Sequence, residues 1–289
     1  MDDQLWLERK LRSGYADLGT KKRTFSKTIH VGTGEYNQPN IIGHGPFDHI
    51  KYTGTGDAIV FHNGKDFVHD GLRVKGGNVV YETDGSSSRF KVANCRVDGG
   101  SMVFRALGGA DMSAYTIQDS EVWNAEKCFV FEGANNLGPT LIACGGGCER
   151  TDTSQVAFDF SKGGSGAVMI KCRGSFAKTF VLIPGGFQLH TFGNESEYCG
   201  TIYKIGGDGL DGFGQEGFIE INDSGHRECS KFMELNKAGV TKVSLGDPRW
   251  PNLIELTNKS GKTGTLVQSG CITKVIEGAW MINRAVQAD

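Results

Sequence analysis

The chain has 289 residues, 43 of them glycine and 6 proline, and a formal net charge of −2 at pH 7. That length holds one large solenoid or two ordinary domains, and the near-neutral charge gives no electrostatic basis for binding nucleic acid or an anionic membrane. No apolar run reaches the roughly 18 residues of a membrane-crossing helix, so no membrane insertion is expected.

Residues 1–28 read differently from the rest. Leu5, Trp6, Leu7 and Leu11 lie among Glu8, Arg9, Lys10 and Arg12, the pattern of a short amphipathic helix. Lys21, Lys22 and Arg23 follow as a basic cluster, and the segment holds seven Lys or Arg against four Asp or Glu. Two uses fit. The helix caps the open first coil of a stacked array, and the basic cluster docks on an acidic partner protein. The opening Met-Asp-Asp-Gln-Leu-Trp lacks the basic-then-apolar pattern of a signal peptide, which reads as a chain made in a cytoplasm.

From residue 29 onward one phrase recurs, an apolar–x–apolar step about every 25 residues. Copies begin at Val79, Met102, Phe129, Val156 and Phe180, with spacings of 23, 27, 27 and 24. Looser copies stand at Ala58, Ile202, Phe232, Leu253 and Trp280. Between them runs a second phrase, an alternating strand ending in a small polar turn: Phe90 to Cys95, Tyr115 to Ser120, Val168 to Cys172. A period of this size marks a stacked array whose units cannot bury their own apolar side chains alone. Short strands with no helical segment between them define an all-β, right-handed parallel β-helix over residues 29–289, of about ten coils. The competing reading is a β-sandwich with strands every 8–12 residues; the fixed order of two strand types within one period speaks against it.

The opening coils, Thr28 to Tyr36, Ile41-Ile42-Gly43 and Gly54 to Phe61, resemble those of the pectate-lyase-like β-helix superfamily, which includes bacteriophage tailspikes. The resemblance rests on repeat architecture and covers most of the chain. It implies a homotrimeric virion appendage, made in the host cytoplasm and carried on the particle, that docks on another virion protein through residues 1–28 and binds host cell-surface polysaccharide. A capsid decoration protein and a polysaccharide depolymerase, hydrolase or lyase, are the alternatives.

The eight cysteines are scattered singly, and Cys144-x-x-x-Cys148 has no second pair at zinc spacing, so they are expected to be reduced side chains stacked between rungs. His44, His49, His62 and His69 show no ligand spacing either, and a lone Gly-Gly-Asp-Gly at 206–209 in the loop carrying Asp208, Asp211 and Glu216 does not make a calcium repeat. No metal or cofactor is expected.

Alternation along the strands sets Val80, Val103, Val130, Ala157 and Val181 outward, as an apolar ladder that a solvated face would not carry. It is the expected oligomer interface. One pleat further, Glu132 and Asp159 fall on adjacent coils, close enough for an acid pair of the glycosidase kind, with Arg105 one rung away; Glu234 and Glu255 make a second such pair. For holding a glycan without cleaving it, the aromatic residues at corners and turns are the candidates: Trp123, Phe187, Tyr198, Phe213 and Trp250.

Overall fold

The computed structural model describes residues 3–284 apart from 33–38, 45–49, 134, 150–153, 164–165, 185, 207–217, 224, 237–238, 246–252, 260–261 and 270. After one helix, α1 (Asp3–Leu11), the described chain is all β. The strands stack in parallel into three sheets of 14, 9 and 11 strands, denoted A, B and C. One turn of the solenoid runs through all three, as in Lys91–Ala93, Arg96–Asp98 and Met102–Ala106. The nine strands of sheet B mark about nine three-sided turns, close to the ten coils counted from the repeat.

The two sequence phrases are two sides of this coil. The apolar–x–apolar phrase forms sheet C, where Val79, Met102, Phe129 and Phe158 pair in succession. The second phrase forms sheet A, where Val92, Ile117, Leu141 and Met169 do the same. The polar turn that ends the second phrase is the A-to-B corner. There one residue per turn takes a left-handed conformation: Asn94, Asp119, Ala143 and Lys171 at φ of 52°, 47°, 52° and 52°, then Gly193 at 64°. Asn and Asp tolerate this region through local side-chain hydrogen bonds, whereas Ala143 and Lys171 hold it at a cost of about 1–2 kcal/mol each.

Inside, aromatic rings continue from turn to turn. Phe61, Tyr81, Phe104, Phe131 and Phe160 lie with neighbouring centroids 5.2, 5.0, 5.4 and 4.3 Å apart. Phe67, Phe90 and Tyr115 form a second stack at 4.8 and 4.7 Å. Parallel register at the rung spacing forces this, because equivalent side chains on successive turns sit directly over one another.

The first turn starts earlier than residue 29. Tyr15–Asp17 already pairs with Asn40–Ile42 in sheet A, and Arg23–Phe25 with Ile50–Tyr52 in sheet B. The capping part of the N-terminal segment is therefore α1 itself, with Leu7 and Leu11 buried on the first turn. Beyond Gly225–Arg227 no described strand continues sheet B, and the later described strands belong to sheets A and C. Among the described residues no helix is long and apolar enough to cross a membrane.

Candidate functional site

A groove of about 630 Å³ runs along the A-to-B corner. One wall is the column of left-handed corner residues, Asp119, Ala143, Lys171 and Gly193. The other is Glu121, Arg173 and Glu195, the first residues of their sheet-B strands, with the buried Gly145 in register between Glu121 and Arg173. Gly145 carries no side chain and is buried under its neighbours, so Glu121 and Arg173 close over it. Arg173 Nη2 reaches across it to Glu121 Oε1 at 3.3 Å, and Arg96 Nη1 lies 3.6 Å from Glu121 Oε2. Trp123, two residues along from Glu121 on the same outer face, donates its indole N–H to Glu121 Oε2 at 3.2 Å. Four rungs at 4.8 Å make the groove about 14 Å long, a straight polar trough with charges of both signs and an aromatic neighbour. Its size is that of small-molecule sites.

The proposed glycan-binding aromatics divide. Trp123 stands half-buried beside this groove. Tyr198 is exposed at the B-to-C corner and stacks on Phe176 with centroids 4.7 Å apart, away from it. Phe187 is a correction: its ring is fully buried, tilted against Phe160 at 5.3 Å, and offers no surface. Phe213 and Trp250 lie outside the described residues, as do His49, Asp208, Asp211 and Glu216.

The outward apolar ladder also needs correction. At the B-to-C corner two consecutive residues face inward, as Ala58 and Ile59, Cys128 and Phe129, Ala157 and Phe158, and Phe180 and Val181 do. Strict alternation counted from Val156 and Phe180 misses this turn, so Ala157 and Val181 belong to the main core. The outward column is Val60, Val80, Val103 and Val130, followed by Asp159, Leu182 and Lys204. The four valines are buried within a single chain as a small cluster of their own, so this face is not an open apolar stripe awaiting a partner.

The same register separates the expected acid pair. Asp159 pairs with Val130, and Glu132 with Lys162. Glu132 belongs to a charge ladder: Arg105 Nε is 2.7 Å from Glu132 Oε2, and Arg105 Nη1 is 3.2 Å from Glu82 Oε2. Asp159 is buried, with Lys127 Nζ 2.6 Å from Oδ2 as an ion pair and the Ser161 amide donating to Oδ1 at 2.8 Å. Glu234 and Glu255 do fall in register, but Lys231 Nζ sits between them, 2.9 and 2.5 Å from their oxygens. The Lys231 contact holds the Glu255 carboxyl below its ordinary value. Each acid is thus neutralised in place, which suits a structural ladder.

At the capped end Lys21 and Lys22 are exposed, with Lys21 Nζ 3.8 Å from Asp3. Arg23 is committed to the fold. Its guanidinium lies 3.2 Å from the Trp6 ring centre and donates to the Leu18 and Lys21 carbonyls at 3.1 and 3.0 Å. Desolvation there lowers its pKa.

Cys144 and Cys148 are buried at the two ends of the sheet-B strand Gly145–Gly147, so they do not converge on a metal. No group of three or more potential ligands gathers among the described residues. No family model, curated protein or solved structure matches the chain. The fold therefore stands on its geometry, a parallel β-solenoid consistent with the pectate-lyase-like superfamily in general.

The sequence reading missed the groove although its signal was in view. The polar turn closing the second phrase already put Asp119 at the corner.

Proposed function

We propose that this protein is a β-helical attachment module that holds a linear, charged polysaccharide along the A-to-B groove, in the manner of a bacteriophage tail appendage. The groove carries the reading. Lys171 and Arg173 face acidic sugars, Asp119, Glu121 and Glu195 accept hydroxyl hydrogen bonds, and Trp123 gives a face for stacking. A straight trough built on parallel rungs suits an extended chain of about three sugar units. Residues 3–23, with Lys21 and Lys22 exposed, are the docking end of this reading, and resemblance in architecture is its support for a place on a virion. Cleavage is not part of the proposal, because Glu132 and Asp159 lie on sheet C, each beside a cation. Trimer formation through the valine column is not part of it either, because one chain already covers that column.

The test titrates host capsular or lipopolysaccharide fragments into the purified protein and follows chain length in parallel. Gly145→Gln is the informative variant. A Cβ at Gly145 meets Arg173 and Glu121 at 3.6–3.7 Å, an ordinary contact, and a longer side chain there is expected to part the Arg173–Glu121 pair that forms this wall of the groove. Wild-type binding that is lost in Gly145→Gln at unchanged melting temperature supports the reading. Equal binding by both moves the ligand elsewhere, and absence of binding favours a purely structural rod. Shortening of the polysaccharide would make the protein a depolymerase.

A further inference from the structure

The final strands of sheet B place a connected polar chain inside the solenoid. Ser196 and His226 are the inward residues of Glu195–Glu197 and Gly225–Arg227 and stand opposite each other. Ser196 Oγ is 2.8 Å from His226 Nδ1, and His226 Nε2 is 3.2 Å from Asp223 Oδ2. All three are buried. Asp223 also accepts from Thr191 Oγ1 at 2.9 Å, from the Asn194 amide at 3.3 Å and from the Tyr203 hydroxyl. A carboxylate so surrounded acts as acceptor only, which puts the imidazole proton on Nε2 and leaves Nδ1 to accept from Ser196.

The outer end of this chain is Cys229, which is partly exposed. Its Sγ lies 3.4 Å from Ser196 Oγ and accepts the Cys199 amide at 3.4 Å; its own proton also has the Arg227 carbonyl within 3.2 Å. Cys199 stands two residues past Glu197 and Cys229 two past Arg227, and Glu197 pairs with Arg227. The two cysteines are thus neighbours on adjacent turns, at the rung spacing of about 4.8 Å, inside the range a disulfide spans.

A half-exposed thiol backed by a buried serine, histidine and aspartate has no part in holding a glycan. We infer that Cys229 is a reactive thiol whose proton is drawn through Ser196 to His226, and that a hydroperoxide converts it to a disulfide with Cys199. The Cys229 thiolate attacks the distal peroxide oxygen, giving the sulfenic acid and an alkoxide or hydroxide that takes up a proton. The Cys199 thiol then attacks that sulfur, the S–S bond forms and water leaves. Overall two thiols are oxidised, and one hydroperoxide is reduced to an alcohol or water plus a second water. Contact with the Cys199 thiol, then with Ser196 and the Cys199 amide, draws the Cys229 thiol down against the cost of burial, while the same contact and burial raise Cys199. Cys229 is partly exposed and touches Ser196 whereas Cys199 is buried, so Cys229 is the attacking sulfur and Cys199 the resolving one. The charged side chains flanking this corner are Glu228, Glu197 with Arg227 at 3.8 Å, and Lys231, which Glu234 and Glu255 hold.

Cys271 is an internal control, since it is also partly exposed but burial pushes its thiol up to about 12. Under iodoacetamide at pH 7, with each cysteine followed by peptide mass spectrometry, Cys229 should alkylate on the order of 100-fold faster than Cys271. Ser196→Ala should slow Cys229 roughly 10-fold at pH 7 and leave its rate at pH 10 unchanged, where the thiol ionises without help. A merely structural serine would move both rates or neither. One equivalent of hydrogen peroxide should yield a Cys199–Cys229 linkage, and Cys199→Ser should stop at a dimedone-trapped sulfenic acid on Cys229. Equal alkylation of Cys229 and Cys271, or peroxide oxidation without the 199–229 linkage, overturns the inference.

Discussion

The first and last described turns of the solenoid differ. At the start α1 lays Leu7 and Leu11 on the first turn, and Arg23 covers the Trp6 ring. At the other end the last strands, Ile272–Glu277 and Trp280–Arg284, leave Ile272, Val275, Ile276 and Met281 at 61, 50, 52 and 53 % exposure. The interiors differ as well. Three-sided turns enclose a wide space that stacked rings fill from Phe61 to Phe160. Beyond the last described strand of sheet B, the described strands of sheets A and C bury Ile221, Leu235, Val243, Ile254, Leu256 and Leu266. The Ser196–His226–Asp223 chain sits between these two regions, where hydrogen-bonded polar groups fill the interior beside the last described strand of sheet B. Continuous ring stacking thus sets the earlier turns apart from the aliphatic later ones, and stability should be concentrated in the ringed turns.

The sharpest test of that contrast is Phe104→Ala. Phe104 is fully buried between Tyr81 and Phe131, at 5.0 and 5.4 Å. Its loss removes a large transfer term and leaves a cavity that rings held by two adjacent turns cannot collapse to fill. The expected cost is about 3–5 kcal/mol, read as a lower urea midpoint. A loss below about 1 kcal/mol would mean the stack is not the stable part of the solenoid.

Next is Val103→Glu, on the outward column of sheet C. Were that column an open interface, the substitution would dissociate an oligomer and spare the fold. Because Val103 is buried among Val80 and Val130 within one chain, it should instead lower stability by about 2–3 kcal/mol, with sedimentation unchanged. A slower-sedimenting but equally stable variant would restore the interface.

Acid should also strike the ringed half first. His69 is buried against Phe61 and Phe67, with Nδ1 3.0 Å from the Tyr81 hydroxyl and Nε2 3.0 Å from the Pro39 carbonyl. Burial lowers its pKa to about 3, against the Pro39 contact that favours the charged form. The unfolded chain takes up this proton below about 6.5 and the folded chain does not, so stability is intact above 6.5 and falls as the pH drops toward 3. At pH 5 the loss from this group is about 2 kcal/mol. Denaturation midpoints of wild type and His69→Gln between pH 8 and pH 5 check it: the variant's profile should be flatter, and parallel profiles would count against His69 as the acid-sensitive group.

The repeat was legible in the sequence because parallel stacking makes every turn repeat its apolar positions, so Val79, Met102 and Phe129 announce sheet C directly. The corners were less legible. Two inward residues in succession at Ala157–Phe158 and Phe180–Val181 break the period of two, and that break is a property of the bend rather than of any residue type. It is why the acid pair and two rungs of the valine ladder dissolved. The groove escaped for a different reason: its walls come from four turns, Asp119 to Glu195, whose residues meet only through the stacking.

The smallest effect expected is the other half of the contrast. Ile276→Ser removes an apolar side chain that is already half in water, on a strand whose outer edge has no described neighbour. Little transfer free energy is lost and no cavity forms, so the change in stability should stay within about 0.5 kcal/mol, with the urea midpoint beside that of wild type. A cost approaching that of Phe104→Ala would require Ile276 to be covered in solution. Because an edge strand with exposed apolar side chains is a template for pairing with another chain, the concentration dependence of the midpoint would then separate a second copy from a segment of the same chain: stability that rises with protein concentration identifies the copy, and a constant midpoint identifies the chain's own cover.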